Sequence, residues 1–89
     1  MHVESAMLTF YIPHANSLKD KRQVCRSLID KTHRRFNASI SEVATQDMHQ
    51  QLTIGIAIVS GEVAHAQRSL DEIIRYMEEH ANAELTGIA

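Results

Sequence analysis

Apolar and polar residues alternate from Val3 to Ile12. In an extended chain this puts Ala6, Leu8, Phe10 and Ile12 on one face and Ser5, Met7, Thr9 and Tyr11 on the other. Pro13 ends the strand, and His14-Ala15-Asn16 forms a short loop. The period then changes. From Ser17 to Phe36, Leu18, Cys25, Leu28, Ile29, Thr32 and Phe36 share one side of a helix, with Val24 at its edge. Ser17 is the expected N-cap, and Asp20 three residues on is placed to bond back, as Glu does in a capping box. Asn37 to about Thr45 alternates again, with Ala38 and Ile40 apolar. Val43 breaks the parity near Glu42, which predicts a bulge or an early end. Gln46-Asp47-Met48-His49 is a polar turn. Gln50 to Val59 is the most strand-like run, with Leu52, Ile54, Ile56 and Ile58 on one face and Gln51, Thr53, Gly55, Ala57 and Val59 on the other. So few residues separate these two runs that they should pair as a hairpin. Ser60-Gly61 opens a second helix over about Glu62 to His80, whose apolar side carries Val63, Ala66, Leu70, Ile73, Ile74, Met77 and Ala81. The segment Ala83–Ile88 predicts a last strand at a sheet edge.

The order β-α-β-β-α-β, with two helices that each have one apolar side, predicts an α+β fold. It is the ferredoxin-like sandwich, a four-stranded antiparallel sheet with both helices on one face. The 89 residues suffice for a single domain, 1–89. A domain of this size has limited stability margin, which an oligomer would relieve. The uncovered sheet face would present Met7, Thr9, Tyr11, Ala57 and Val59, a small apolar patch suited to a homodimer contact.

Charge adds an asymmetry that the net value of −2 conceals. Ser17–Phe36 holds seven basic and two acidic residues, a segment charge of +5, and the remaining 69 residues, with two basic and nine acidic, carry −7. Lys19, Arg22, Arg26 and His33 fall on one flank of the first helix, with Asp30 beside them and Arg34 nearby. Arg26 and Asp30 are spaced for an i,i+4 pair. Lys21 lies at the edge of the apolar side, where its stem can follow the core while the ammonium reaches out. One reading of the flank is a solvated surface; the other is a footprint for phosphate, aided by the helix N-terminus. The second helix, by contrast, mixes Arg68, Asp71, Glu72, Arg75, Glu78 and Glu79 on its outer face.

Other chemistry is sparse. The lone Cys25 sits at an apolar helical position, so a core thiol is expected and no disulfide framework exists within the chain. The six histidines, His2, His14, His33, His49, His65 and His80, show no HExxH or HxH spacing, so no metal site and no cofactor are expected. Glu42 and Asp47 read as edge-strand and turn residues rather than acid–base catalysts. No Gly-rich phosphate loop follows the first strand, and no enzyme is expected. The N-terminus lacks a signal-peptide pattern and no apolar run approaches 18 residues, so a cytoplasmic protein without membrane contact is expected.

The stretch from Ile12 to Asp47, above all Ser17-Leu18-Lys19-Asp20-Lys21-Arg22, Arg35-Phe36-Asn37 and Glu42-Val43 with Gln46-Asp47, followed by the strand Ile54–Ser60, resembles the YlxP-like family. This is a domain family of unknown function, and the resemblance spans essentially the whole chain. It implies the same ferredoxin-like fold. Members are often encoded beside translation and ribosome-maturation genes, which implies a connection to RNA or the ribosome. Relatives commonly carry a Trp in the hairpin turn, where this chain has Met48-His49. The family supplies no catalytic residues to carry over.

The expected function is therefore a non-enzymatic binding module. RNA or a ribosomal subunit is the first candidate partner, contacted through Lys19, Lys21, Arg22, Arg26, His33 and Arg34. The sheet face lacks the paired aromatics that RNA-recognition domains use for base stacking, so the contact would be to the phosphate backbone. The alternative is a dimeric regulatory domain that meets a ligand or an acidic protein.

Overall fold

A computed structural model describes residues 1–89. Strand β1 (His2–Tyr11) leads to helix α1 (Leu18–Arg35), the hairpin β2 (Ser39–Ala44) and β3 (Gln51–Ser60), helix α2 (Val63–His80) and strand β4 (Glu84–Ile88). The strands pair in the order β2-β3-β1-β4, all antiparallel. Both helices cover one face, as the ferredoxin-like pattern requires.

Alternation sets the register. Leu8 and Phe10 of β1 and Leu52, Ile54, Ile56 and Ile58 of β3 are all buried beneath the helices. Burying such a side chain stabilises by roughly 1.5–3 kcal/mol. A one-residue slip would turn all six outwards and forfeit roughly 10–20 kcal/mol, more than a typical domain's whole stability. Cys25 and Leu28 of α1 and Ala66, Leu70, Ile73 and Met77 of α2 close the core from above.

The ends of α1 follow its sequence. Ser17 Oγ accepts from the Asp20 amide at 3.1 Å, while Asp20 Oδ2 accepts from the Asn16 amide at 2.9 Å. The return bond therefore lands one residue before the cap instead of on it. Thr32, buried within the helix, donates its hydroxyl to the Leu28 carbonyl at 2.7 Å.

The parity break in β2 is a bulge. Glu42 faces Ile54 and Ala44 faces Thr53, which leaves Val43 as the extra residue. Val43 continues the alternation of Ser39 and Ser41 onto the open face and lies over Gly55, and the bulge brings Ala44 opposite Thr53 on that same face. A Cβ at position 55 would sit 2.8 Å from Val43 Cγ1, so glycine is what allows this approach. Glu42, two residues after the buried Ile40 and before the bulge, lies on the helix side of the sheet. A second irregularity in β4 sets Leu85 opposite Phe10 and Gly87 opposite Thr9. The extra residue, Thr86, donates its hydroxyl to the Thr9 carbonyl at 3.1 Å.

Candidate functional site

The flank of α1 carries Lys19, Arg22, Arg26, His33 and Arg34, all exposed. Positions 19, 22, 26 and 33 return to one side of the helix every three, four or seven residues. The chain forms two ion pairs, His2–Glu4 and Lys21–Glu42, and neither uses these residues. The i,i+4 pair between Arg26 and Asp30 does not close, so both side chains remain solvated. Arg22 and Arg26 border a shallow depression of about 270 Å³ between α1 and β2, with Cys25, Ile29, Asp30 and Glu42.

Lys21 departs from the expected set. It is 1% exposed, and its ammonium turns inwards rather than out along the flank. Nζ donates to the carbonyls of Thr45 at 2.7 Å, Gln46 at 3.0 Å and Gln51 at 3.3 Å. These come from the two sides of the β2–β3 turn. An ammonium has three N–H donors, and the three carbonyls match them. Glu42 Oε2 lies 3.0 Å away and neutralises the charge, but it receives no aligned hydrogen bond. Lys21 is thus a clamp between the first helix and the hairpin, and cannot reach a phosphate. It also holds a strained residue. Thr45 has φ 56°, in the left-handed region that a β-branched side chain rarely adopts. The Thr45 carbonyl is held by Lys21, and its hydroxyl lies 2.8 Å from that of Thr53.

The helix N-terminus contributes less than its dipole alone suggests. The Asp20 carboxylate sits over the first turn and already binds the Asn16 amide, so an anion arriving there meets a negative charge. The cationic surface is centred further along, at Arg22 and Arg26.

Cys25 lies in the floor of that depression and is buried. Burial, followed by the nearby Glu42 carboxylate, raises its pKa above the ordinary 9.0, while Lys21 and Arg26 pull weakly the other way. At neutral pH it is therefore a thiol rather than a thiolate. Labelling by an aromatic disulfide at pH 7.5 should be much slower in the folded chain than after unfolding in urea. Equal rates would mean that the position is open.

The residues expected at a dimer contact do share the open sheet face. Met7, Tyr11 and Val59 are 42%, 41% and 66% exposed, while Thr9 and Ala57 are half-buried. Val3 and Val43 join them. No group of three or more His, Cys, Asp or Glu side chains converges to hold a metal ion. No helix is long and apolar enough to cross a membrane.

Residues 3–89 match the family described as "Protein of unknown function (DUF503)". The chain belongs to this family. Among DUF503 relatives is the "Uncharacterized protein YlxP" of Bacillus subtilis (strain 168), 33% identical over 72 residues. That match covers 81% of this chain and 78% of the relative. The resemblance drawn from Ser17–Arg22 and the hairpin is therefore correct at the level of family.

One group escaped the sequence reading. At the C-terminal ends of the two helices, Arg35 of α1 lies over the Tyr76 ring of α2, 5.3 Å from its centroid. The His80 ring stacks on Tyr76 with centroids 4.1 Å apart and planes 21° apart. Phe36 meets Tyr76 edge-on at 5.5 Å. Tyr76 and His80 are spaced i,i+4, a signal visible in the sequence and set aside when the outer face of α2 was read as solvated.

Proposed function

We propose that this DUF503 protein is a non-enzymatic module that contacts the phosphate backbone of structured RNA, in a ribosomal subunit or free, through the flank of α1. The observation that carries this reading is the exposure of Lys19, Arg22, Arg26 and Arg34 on one helix, with Asp30 the one acid among them and no ion pair formed. His33 lies within the same surface. Lys21 takes no part. Side chains that reach phosphates without base contacts give weak sequence preference and strong salt dependence. About four phosphate contacts give a log–log salt slope near −3, or roughly a 50–150-fold loss of affinity for a fourfold rise in salt. The test is titration of a structured RNA with the wild-type chain beside the Arg22→Glu/Arg26→Glu variant. Binding at low salt that the variant loses supports the reading. Absence of binding to RNA and to ribosomal subunits at low salt overturns it.

A second reading, a homodimer through the open sheet face, is favoured by the exposed Val3, Met7, Tyr11, Val43 and Val59. The same face carries no Lys or Arg, so two copies could approach it without repulsion between cations. Such a dimer leaves α1 free on the opposite layer. Sedimentation equilibrium should then show a dimer that Met7→Lys/Val59→Lys splits. A wild-type chain that stays monomeric at millimolar concentration removes this reading.

A further inference from the structure

We propose that the Arg35–Tyr76–His80 stack is a platform for an unpaired nucleobase, placed where the phosphate-contacting helix ends. The inference rests on the RNA reading above and adds to it what the RNA must offer, a base outside the duplex.

The first observation is order in an exposed side chain. A surface histidine normally samples several rotamers. Here the His80 ring is held twice, by stacking on Tyr76 and by a 2.8 Å hydrogen bond to the Tyr76 carbonyl. A carbonyl only accepts, so Nδ1 carries a proton and donates it. The ring plane is thus fixed before any ligand arrives, while the residue itself remains exposed. Tyr76 is half-buried against Phe36, so the stack has a firm base. Preorganised aromatic faces of this kind bind bases with little sequence preference, because every base has a π-face, and a guanidinium plane serves in the same way.

The second observation is the groove beside the stack. Arg35, Phe36, Glu72, Arg75, Tyr76, Glu79 and His80 line about 410 Å³. Glu72, Arg75, Tyr76 and Glu79 fall at i, i+3, i+4 and i+7, so they form one stripe of α2. Neither glutamate forms an ion pair. Carboxylates repel phosphate but accept hydrogen bonds from the exocyclic amines and ring N–H groups of bases. The chemistry of the groove therefore suits the edge of a base and not the backbone.

The third observation is continuity. Arg34, the last cation of the flank, is followed directly by Arg35, which leans over Tyr76. Arg34 and Arg35 are about 100° apart around the helix axis, so a strand whose phosphates follow Lys19, Arg22, Arg26 and Arg34 on the β2 side must cross the end of α1 to reach the stack on the α2 side. An unpaired nucleotide there turns its base onto the outer face of the His80 ring, the exposed end of the stack. Single-stranded loops and bulges offer such bases, whereas a continuous duplex does not.

The test uses two fluorescently labelled RNAs with the same stem, one closed by an unpaired loop and one a blunt duplex. Wild-type chain should bind the looped RNA roughly 5- to 100-fold more tightly, the range that one stacked base supplies. His80→Ala should bring looped-RNA affinity down to the duplex value and leave the duplex affinity unchanged, with the fold retained by circular dichroism. His80→Phe should keep the preference, since it retains a ring. On adding looped RNA, the His80 ring protons should shift upfield in the NMR spectrum, and the duplex should leave them in place. Equal binding of both RNAs by the wild type, with its salt dependence intact, overturns the stack and spares the phosphate-contacting helix. A preference that survives His80→Ala also overturns it. Failure to bind either RNA refutes the helix reading, and the stack proposal with it.

Discussion

Lys21→Met should destabilise the fold by about 3–5 kcal/mol, the usual cost of removing one member of a buried ion pair. A methionine can fill the volume of the lysine stem, so little of the loss arises from packing. It arises from what is left behind. The carbonyls of Thr45, Gln46 and Gln51 each lose the ammonium; Thr45 keeps the Met48 amide and Gln51 the Thr45 hydroxyl, while Gln46 loses its one protein donor and Glu42 Oε2 remains a buried carboxylate oxygen without a partner. Thr45 also loses a bond that holds it at φ 56°. Whole domains have stabilities of about 5–15 kcal/mol, so the variant should lose a large share of its stability. Glu42→Gln should cost less than half as much, because Lys21 keeps its three carbonyls and an amide oxygen replaces the carboxylate. The pair Lys21→Met/Glu42→Leu should be more stable than Lys21→Met alone, since the stranded charge is gone. Urea unfolding followed by circular dichroism measures all three. A Lys21→Met cost below about 1 kcal/mol, the range of an exposed pair, would mean that the ammonium faces water.

The second large effect concerns binding. Arg22→Glu/Arg26→Glu should lower affinity for structured RNA by roughly 30–150-fold at moderate salt. Each arginine supplies a charge-assisted hydrogen bond to a phosphate, and the pair together contributes about 2–3 kcal/mol. Reversal of sign adds repulsion on top of that loss. Neither side chain is buried or paired in the fold, so the thermal midpoint should hold. This separates a binding defect from a folding defect, which Lys21→Met could not do. Arg68→Glu/Arg75→Glu reverses two cations of α2 and serves as the control. It should weaken RNA binding far less, although Arg75 borders the groove beside the base platform.

These two variants mark where the sequence was legible. The strands and helices could be read because each has a buried face with its own period, as Leu52, Ile54, Ile56 and Ile58 show. The bulge announced itself as a parity break at Val43, although not that Val43 would cover Gly55. The flank of α1 could be read because helical geometry alone decides which of its residues are neighbours. Lys21 could not be placed this way. Its helical position lies inside the apolar arc with Leu28 and Thr32, so burial was legible in angle. Its partners, however, lie 24, 25 and 30 residues further along the chain. Periodicity says nothing about which carbonyls a folded hairpin will leave beside a helix. The stack of Arg35 on Tyr76 is hidden for the same reason, as it joins two helices separated by the hairpin. Whether Arg26 and Asp30 close their pair is decided by solvent rather than spacing, and here they stay apart.

The RNA reading stands on the exposed cations of α1 neutralising phosphates. It is tested most directly by the salt dependence of RNA affinity for the wild-type chain and for Arg22→Gln/Arg26→Gln, which removes two charges without reversing them. The wild-type log–log slope should be near −3, flattened by about 1.4–1.8 in the variant, since each lost contact removes about 0.7–0.9. Identical slopes for the two proteins would contradict it and make the flank of α1 a solvated surface.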